Sequence, residues 1–270
     1  MKKNAVCIGE KWLPYRDNET EQIFFVHSVF DRIINISTDQ GLLSVAADGI
    51  GGSSSFLTIA DKFMDFGVNN GEQCVVAAGQ ICLAGCPVNF KNALVWKGPV
   101  NKEYRRNKIK SDNIAAFKAV LDRKASAHSA WKHIHSDSAG VFSGFRAIQK
   151  LKDDPLQAQN LIGLGMGLTP SGDDMLLGFL AIVNHISVNG AFLLKLRGVV
   201  SNSLEKTADI SAQALANALD YEYHEYIQNC VRALCEGEKE DVYISAASLL
   251  KIGATSGSDI ACGMYFGMMR

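Results

Sequence analysis

The run Gly163-Leu164-Gly165-Met166-Gly167-Leu168-Thr169-Pro170-Ser171-Gly172-Asp173-Asp174 carries the residue types best suited to holding a ligand. Three glycines at alternate positions form a loop whose backbone can enter conformations closed to other residues and approach a partner closely. Thr169, Pro170 and Ser171 are helix-start residues, and the apolar run Met175 to Val183 follows at once. A glycine loop feeding a helix points N–H groups without intrahelical partners forward, a favourable place for an anion or a polarised carbonyl. Asp173 and Asp174 would repel a bare anion. The site therefore suits a metal-bound anion, or a ligand that offers both an oxyanion and N–H donors.

Part of the motif recurs. Ser171-Gly172-Asp173-Asp174-Met175-Leu176-Leu177-Gly178 lines up with Ser256-Gly257-Ser258-Asp259-Ile260-Ala261-Cys262-Gly263, and Thr169 and Thr255 precede the two copies. Capping alone would account for Ser-x-x-Asp, which is close to a capping box with Asp in place of Glu or Gln. The glycine loop and the extra Asp173 set the first copy apart. Two such helix starts facing one shared pocket is the functional expectation. Its site residues are Asp173 and Asp174 as catalytic groups. Gly163, Gly165, Gly167, Thr169, Ser171, Gly172, Thr255, Ser256, Gly257 and Asp259 are its anion- or substrate-binding groups.

Other templates fit less well. Gly163-x-Gly-x-Gly167 lacks the last spaced glycine of a dinucleotide fingerprint and the Gly-Lys-Ser/Thr ending of a P-loop. His128, His133 and His135, with Asp137 beyond, have no i, i+4 pair of the kind a helical zinc site uses. His27 and His185 sit in apolar runs and read as buried and hydrogen-bonded, and His224 reads as part of an exposed helix face. Cys82-x-x-x-Cys86 and Cys230-x-x-x-x-Cys235 lack zinc-ribbon spacing.

At 270 residues the chain is long enough for one large or two ordinary domains. Its 27 Lys and Arg against 28 Asp and Glu leave no charge bias, which argues against bulk nucleic-acid binding. Seven cysteines without a small-scaffold pattern read as reduced thiols, and the N-terminal residues meet Glu10 and Lys11 before any long apolar region. The expected location is cytoplasmic. Met175 to Leu194 is the longest apolar stretch, but Asn184, His185, Asn189 and Gly190 make it a buried core helix rather than a membrane span.

The elements that must position the motifs fall into two textures. Residues 21–30, 32–38, 42–46, 56–60, 73–78, 80–83 and 93–96 are short, rich in β-branched and aromatic residues and separated by glycine turns, which predicts a barrel or sandwich. Residues 97–113 are basic and begin with Gly98-Pro99, reading as a linker, with a phosphate-binding patch as the alternative. Helical periodicity follows over 114–121, 141–151, 193–219, 221–235 and 242–252, and a final helix starts near Ser256. The expected fold is α+β: a β-rich domain over 1–98, a linker over 99–112, and a mainly helical domain over 113–270 carrying both motifs.

Gly163 to Gly178 and Gly253-Ala254-Thr255-Ser256-Gly257-Ser258-Asp259 resemble a family long described only as a domain of unknown function. It includes the AllH-type subunit of oxamate carbamoyltransferase, from anaerobic allantoin breakdown in purine catabolism. Length and order of elements also match, and Thr207-Ala208-Asp209-Ile210-Ser211 with Leu215 and Ala218 resembles the family's Thr/Ser-bearing helix between the motifs. Where the family often has a histidine before Thr-Ser-Gly, this chain has Ala254, which leaves no histidine role there. The resemblance implies exchange of oxalurate and phosphate with oxamate and carbamoyl phosphate, in a complex with two other subunit types and without a required cofactor. Asp173 or Asp174 would then accept from a carbamoyl or oxamate NH₂, or bind Mg²⁺. Two alternatives stand beside this one: a Mg²⁺-dependent phosphoryl or acyl-phosphate enzyme, and a non-catalytic assembly subunit.

Overall fold

A computed structural model of the chain describes residues 3–60, 66–98, 109–134, 144, 146–186 and 189–270. It divides into two compact units, Met1–Val100 and Asn101–Arg270. The architecture is α+β, with a β-barrel followed by a helical region.

The barrel contains β1 (Lys3–Ile8), α1 (Leu13–Arg16), β2 (Gln22–Val29), β3 (Ile33–Thr38), β4 (Gly41–Ala47), β5 (Phe56–Ile59), β6 (Gln73–Ala77), β7 (Gln80–Leu83), β8 (Cys86–Asn89) and β9 (Leu94–Val95). The strand order is β5-β4-β3-β2-β6-β7-β8-β1, and β1 pairs back onto β5, closing eight strands into a ring. At its start β1 pairs with β8, and at its end with β9 on the same side. Closure leaves few unpaired edges, which distinguishes the barrel from a sandwich. Its interior follows the two-residue period of a strand: Ile34 and Ile36, Leu43 and Val45, Leu57 and Ile59, and Ile81 and Leu83 are fully buried. Ala78-Gly79 and Ala84-Gly85 turn the chain between β6, β7 and β8 with both residues of each pair at positive φ, as two-residue hairpin turns require.

The helical unit holds α2 (Ser111–Lys124), α3 (Ala130–His133), α4 (Ala147–Leu151), α5 (Ser171–Val183), α6 (Gly190–Ser201), α7 (Asp209–Leu219), α8 (Glu225–Glu236), α9 (Lys239–Leu249) and α10 (Ser256–Met268). Asn113 on α2 shows how the elements are tied: its Nδ2 donates to the carbonyls of Leu234 and Gly237 at the end of α8. Where one helix was expected over 193–219, two form. The polar run Asn202 to Thr207 offers local hydrogen bonds that compete with the helical ladder. The start of α8 lies beyond Tyr221, because His224 Nδ1 accepts the Tyr226 N–H as a cap. Of the helix expected over 141–151, Ala147–Leu151 is helical. Residues 141–143 and 145 lie outside the described residues, as do 99–108 of the expected linker, with most of its basic side chains.

Helices α5 and α10, which carry the two motifs, lie at the centre of this unit. Every residue of α5 after Ser171 is buried. The helices touch backbone to backbone at one pair of glycines. A Cβ on Gly178 would stand 1.9 Å from the Ile260 carbonyl oxygen, and one on Gly263 would stand 1.8 Å from that of Met175. Met175 and Ile260 occupy the same place in the two motif copies. The repeat read in the sequence is therefore an internal two-fold relation between helices, with each motif's glycine seated on the other motif's backbone.

Among the described residues no helix is long and apolar enough to cross a membrane.

Candidate functional site

The glycine loop folds over the start of α5. Gly163, Gly165 and Gly167 have φ of 74°, 131° and 88°, in a region that disfavours side chains. At Gly163 the space is also closed, since a Cβ would lie 2.5 Å from the Lys206 carbonyl oxygen. Gly167 faces open space. The loop tip projects outward, with Met166 at 94% exposure and Leu168 at 44%.

Asp173 pins this loop. Its Oδ1 accepts the Gly163 N–H at 2.9 Å, its Oδ2 accepts the Thr207 hydroxyl, and the Ser211 hydroxyl also acts on it. The weak echo at Thr207 and Ser211 thus has a physical meaning: it is the seat of Asp173. Burial raises the Asp173 pKa, against the Thr207, Gly163 and Ser211 donors that lower it. Replacing Asp173 with Ala strands the Gly163 N–H and the Thr207 hydroxyl. A loss of about 2 kcal/mol is expected, read from denaturant unfolding of the full chain.

The two motif starts meet. Thr169 Oγ1 and Ser256 Oγ lie 3.1 Å apart. Across the internal two-fold the serines serve each other's carboxylate, Ser256 acting on Asp174 and Ser171 on Asp259. Asp259 also accepts the Ala130 N–H at 2.6 Å through Oδ1, and feels the Thr255 hydroxyl and the charge of His133. Asp174 is 5% exposed and Asp259 fully buried. The Oδ2 atom of each is buried without a hydrogen-bond partner.

That arrangement sets the electrostatics. Burial pushes Asp174 well above the usual carboxylate range, and the nearby charges of Asp259 and Asp173 push the same way. Burial lifts Asp259 to about 6, against its donors. Both effects follow from the cost of an ion in an apolar surrounding, to which nearby like charges add at Asp174 alone.

The first-turn amides do less than expected. The N–H of Gly172 donates to the Leu164 carbonyl, and those of Asp173 and Asp174 donate to that of Pro170. In the second copy the Gly257 N–H donates to the Ile252 carbonyl, and those of Ser258 and Asp259 to that of Thr255. With these amides paired, the polar groups gathered at the two motif starts are the hydroxyls of Thr169, Ser171, Thr255 and Ser256 and the two orphaned carboxyl oxygens. Gly172 and Gly257 instead allow close packing: a Cβ on either would meet the Leu161 or Leu249 carbonyl oxygen at 2.1 Å.

A Mg²⁺ ion fits this donor set poorly. Both Asp173 oxygens are taken by protein donors, and the positive ends of α5 and α10 disfavour a cation. Among the described residues no three His, Cys, Asp or Glu side chains gather in a way that could hold a metal.

Sequence reasoning missed His133 as a neighbour of Asp259 and the Ala130 amide as its donor, because both depend on how α3 packs. His135 and Asp137 lie outside the described residues.

Residues 161–268 match the family model described as oxamate carbamoyltransferase subunit AllH. The matched stretch begins just before the glycine loop and ends with α10, and it is the family that the two motifs resemble. No curated protein and no solved structure matches the chain. The match is a likeness to that family over the glycine loop and the helices from α5 to α10.

Proposed function

We propose that this chain is a subunit of a multi-subunit carbamoyltransferase acting on oxamate and oxalurate, or on a closely related ureido or amide acid, and that the paired motif starts hold the reacting groups. The observation that carries the reading is the contact of Thr169 with Ser256, whose hydroxyl acts on Asp174, together with the partnerless Oδ2 atoms of Asp174 and Asp259. Hydroxyl donors at two helix N-termini suit a phosphate or carboxylate. An unpartnered carboxylate oxygen suits an N–H donor, since a buried acceptor without one is costly. A carbamoyl group transferred between a phosphate and an amide presents both chemistries at once.

In this reading Thr169, Ser171, Thr255 and Ser256 orient the phosphate or carboxylate. Asp174 and Asp259 receive N–H groups of the carbamoyl or amide moiety. Asp173 positions the glycine loop and does not touch the substrate. Gathering the reactants in one orientation removes much of the entropic part of the barrier. The reading requires no cofactor.

Partner subunits belong to the same reading. We take the exposed apolar tip at Met166 and Leu168 as the surface that another subunit covers, and two partner types are proposed. Met166→Asp should leave the fold unchanged and weaken assembly at least tenfold, measured by sedimentation of the mixed subunits. All seven cysteines are free thiols, which supports a reducing, cytoplasmic setting.

The test is carbamoyl phosphate consumption with oxamate, by the chain alone and mixed with its partner subunits. Consumption by the mixture supports the reading. Its absence with every ureido or amide acid offered removes the reading.

A further inference from the structure

The connector between α6 and α7 holds the glycine loop where the loop begins. A Cβ on Gly163 would stand 2.5 Å from the Lys206 carbonyl oxygen, so the two backbones touch. The next residue, Thr207, donates its hydroxyl to Asp173 Oδ2, and the other oxygen of that carboxylate accepts the Gly163 N–H at 2.9 Å. Thr207 and Gly163 thus share one carboxylate, with a backbone contact beside it. The connector is itself tightly turned: the Lys206 N–H donates to the Ser203 carbonyl, and Ser203 is buried.

From Gly163 the loop runs flush along the start of α5. The Leu164 carbonyl accepts the Gly172 N–H at 2.8 Å, and a Cβ on Gly165 would stand 2.8 Å from the Ser171 nitrogen. Nothing lies near a Cβ on Gly167, and Met166 is exposed. The loop is therefore fixed at its base and open at its tip. It ends at Thr169, whose Oγ1 lies 3.1 Å from Ser256 Oγ. The seat of Gly163 helps to set where Thr169 meets the second motif.

We propose that Thr207 is a positioning residue for the paired motif starts: acting through Asp173, it fixes the glycine loop at Gly163 and so the place of Thr169 beside Ser256. The position requires a hydroxyl. Asp173 is buried, and a buried acceptor deprived of its donor is costly. Valine keeps the shape of threonine without the O–H, and serine keeps the O–H without the methyl group. The Ser211 hydroxyl also acts on Asp173, but from α7, whereas Thr207 adjoins the residue packed on Gly163. For the chemistry that the loop serves, the inference rests on the carbamoyl-transfer reading. A misplacement of about 1 Å at a group that orients a reactant costs on the order of a hundredfold in rate.

The test compares Thr207→Val and Thr207→Ser in the full chain. Amide hydrogen exchange, followed by NMR, is read at Gly163 and at Leu180 in the buried middle of α5. In Thr207→Val the Gly163 amide should exchange at least tenfold faster relative to Leu180, and in Thr207→Ser it should stay within about twofold of the wild type. In the assembled complex Thr207→Val should lower kcat at least tenfold, and Thr207→Ser should retain it. A residue that only stabilised the unit would speed both amides alike and leave the kcat of the folded complex unchanged. Either result, or a Thr207→Ser that behaves as Thr207→Val does, would overturn the proposal. If Thr207→Val does not fold, the wild type decides. There the Thr207 hydroxyl proton should exchange slowly enough to be seen, and the Gly163 amide should be protected at least a hundredfold more than that of Met166. Absence of either would overturn the proposal. The exchange experiment involves no carbamoyl phosphate. A Gly163 amide loosened by Thr207→Val, in a chain whose complex transfers no carbamoyl group, would remove the functional reading and leave the pin. Transfer at the wild-type rate by the Thr207→Val complex would do the reverse.

Discussion

Gly263→Ala is expected to cost the helical unit about 3 kcal/mol or more, enough to lower its melting temperature sharply or prevent folding. A methyl group there would stand 1.8 Å from the Met175 carbonyl oxygen. Relief requires α5 and α10 to separate, because the obstacle is helix backbone and cannot swing aside as a side chain could. Separation would open the packing around Met175, Phe179, Ile260 and Met264, all nearly or fully buried. Gly178→Ala should behave alike, with its methyl group 1.9 Å from the Ile260 carbonyl oxygen. Gly167→Ala is the control: nothing lies near its added carbon, and only the backbone strain of a residue at φ 88° remains. Its cost should stay near 1 kcal/mol. Denaturant unfolding of the three variants ranks them directly.

Asp259→Asn should make the chain more stable at neutral pH while removing activity. The folded Asp259 carboxyl titrates at about 6, above its ordinary value of 3.8. A native state that holds its proton longer than the unfolded chain has its full stability below pH ~4. It loses stability as pH rises through about 6. A shift of about two units corresponds to on the order of 3 kcal/mol. Asparagine does not titrate, so the variant escapes that loss. Its carbonyl can still accept the Ala130 N–H. The stability difference between variant and wild type should therefore grow across that pH window, read from unfolding curves at several pH values. A difference that stays flat with pH would contradict the buried-carboxyl account. Sites that carry function are where such destabilising groups are kept.

How much of this was legible in the residues follows from what each signal measures. The two S-G-x-D copies were visible because a repeat needs no structure to be seen, and their placement on helix starts followed from helix-start chemistry. The sequence could not show that the copies face each other; that depends on Gly178 and Gly263 seating on opposite backbones. The glycine loop was legible as a loop, yet the first-turn amides expected to face a ligand donate within the chain instead. That difference lies in backbone pairings such as Gly172 to Leu164, which no residue type announces. In the barrel, the β-branched runs showed β3, β4 and β5, whereas β8 escaped because Pro87 argues against a strand. Closure through β1 and β5 was also out of reach, since Lys3 and Asn4 dilute the pattern of the first strand. The division of 193–219 into α6 and α7 was missed because apolar periodicity resumes after the polar break. Thr207 and Ser211 were noticed only as an echo of a family; the structure makes them partners of Asp173.

The central claim is that the paired motif starts of this chain carry out carbamoyl transfer, and substitution of Asp174 addresses it most directly. Carbamoyl phosphate consumption with oxamate should be measured for the assembled subunits containing the wild-type chain or Asp174→Asn, with assembly followed by sedimentation on the same samples. The account predicts an intact complex whose rate falls at least a hundredfold, the order lost when an acid–base group is removed. An intact complex with an unchanged rate would contradict it, and would make this chain a scaffold for chemistry held by its partners.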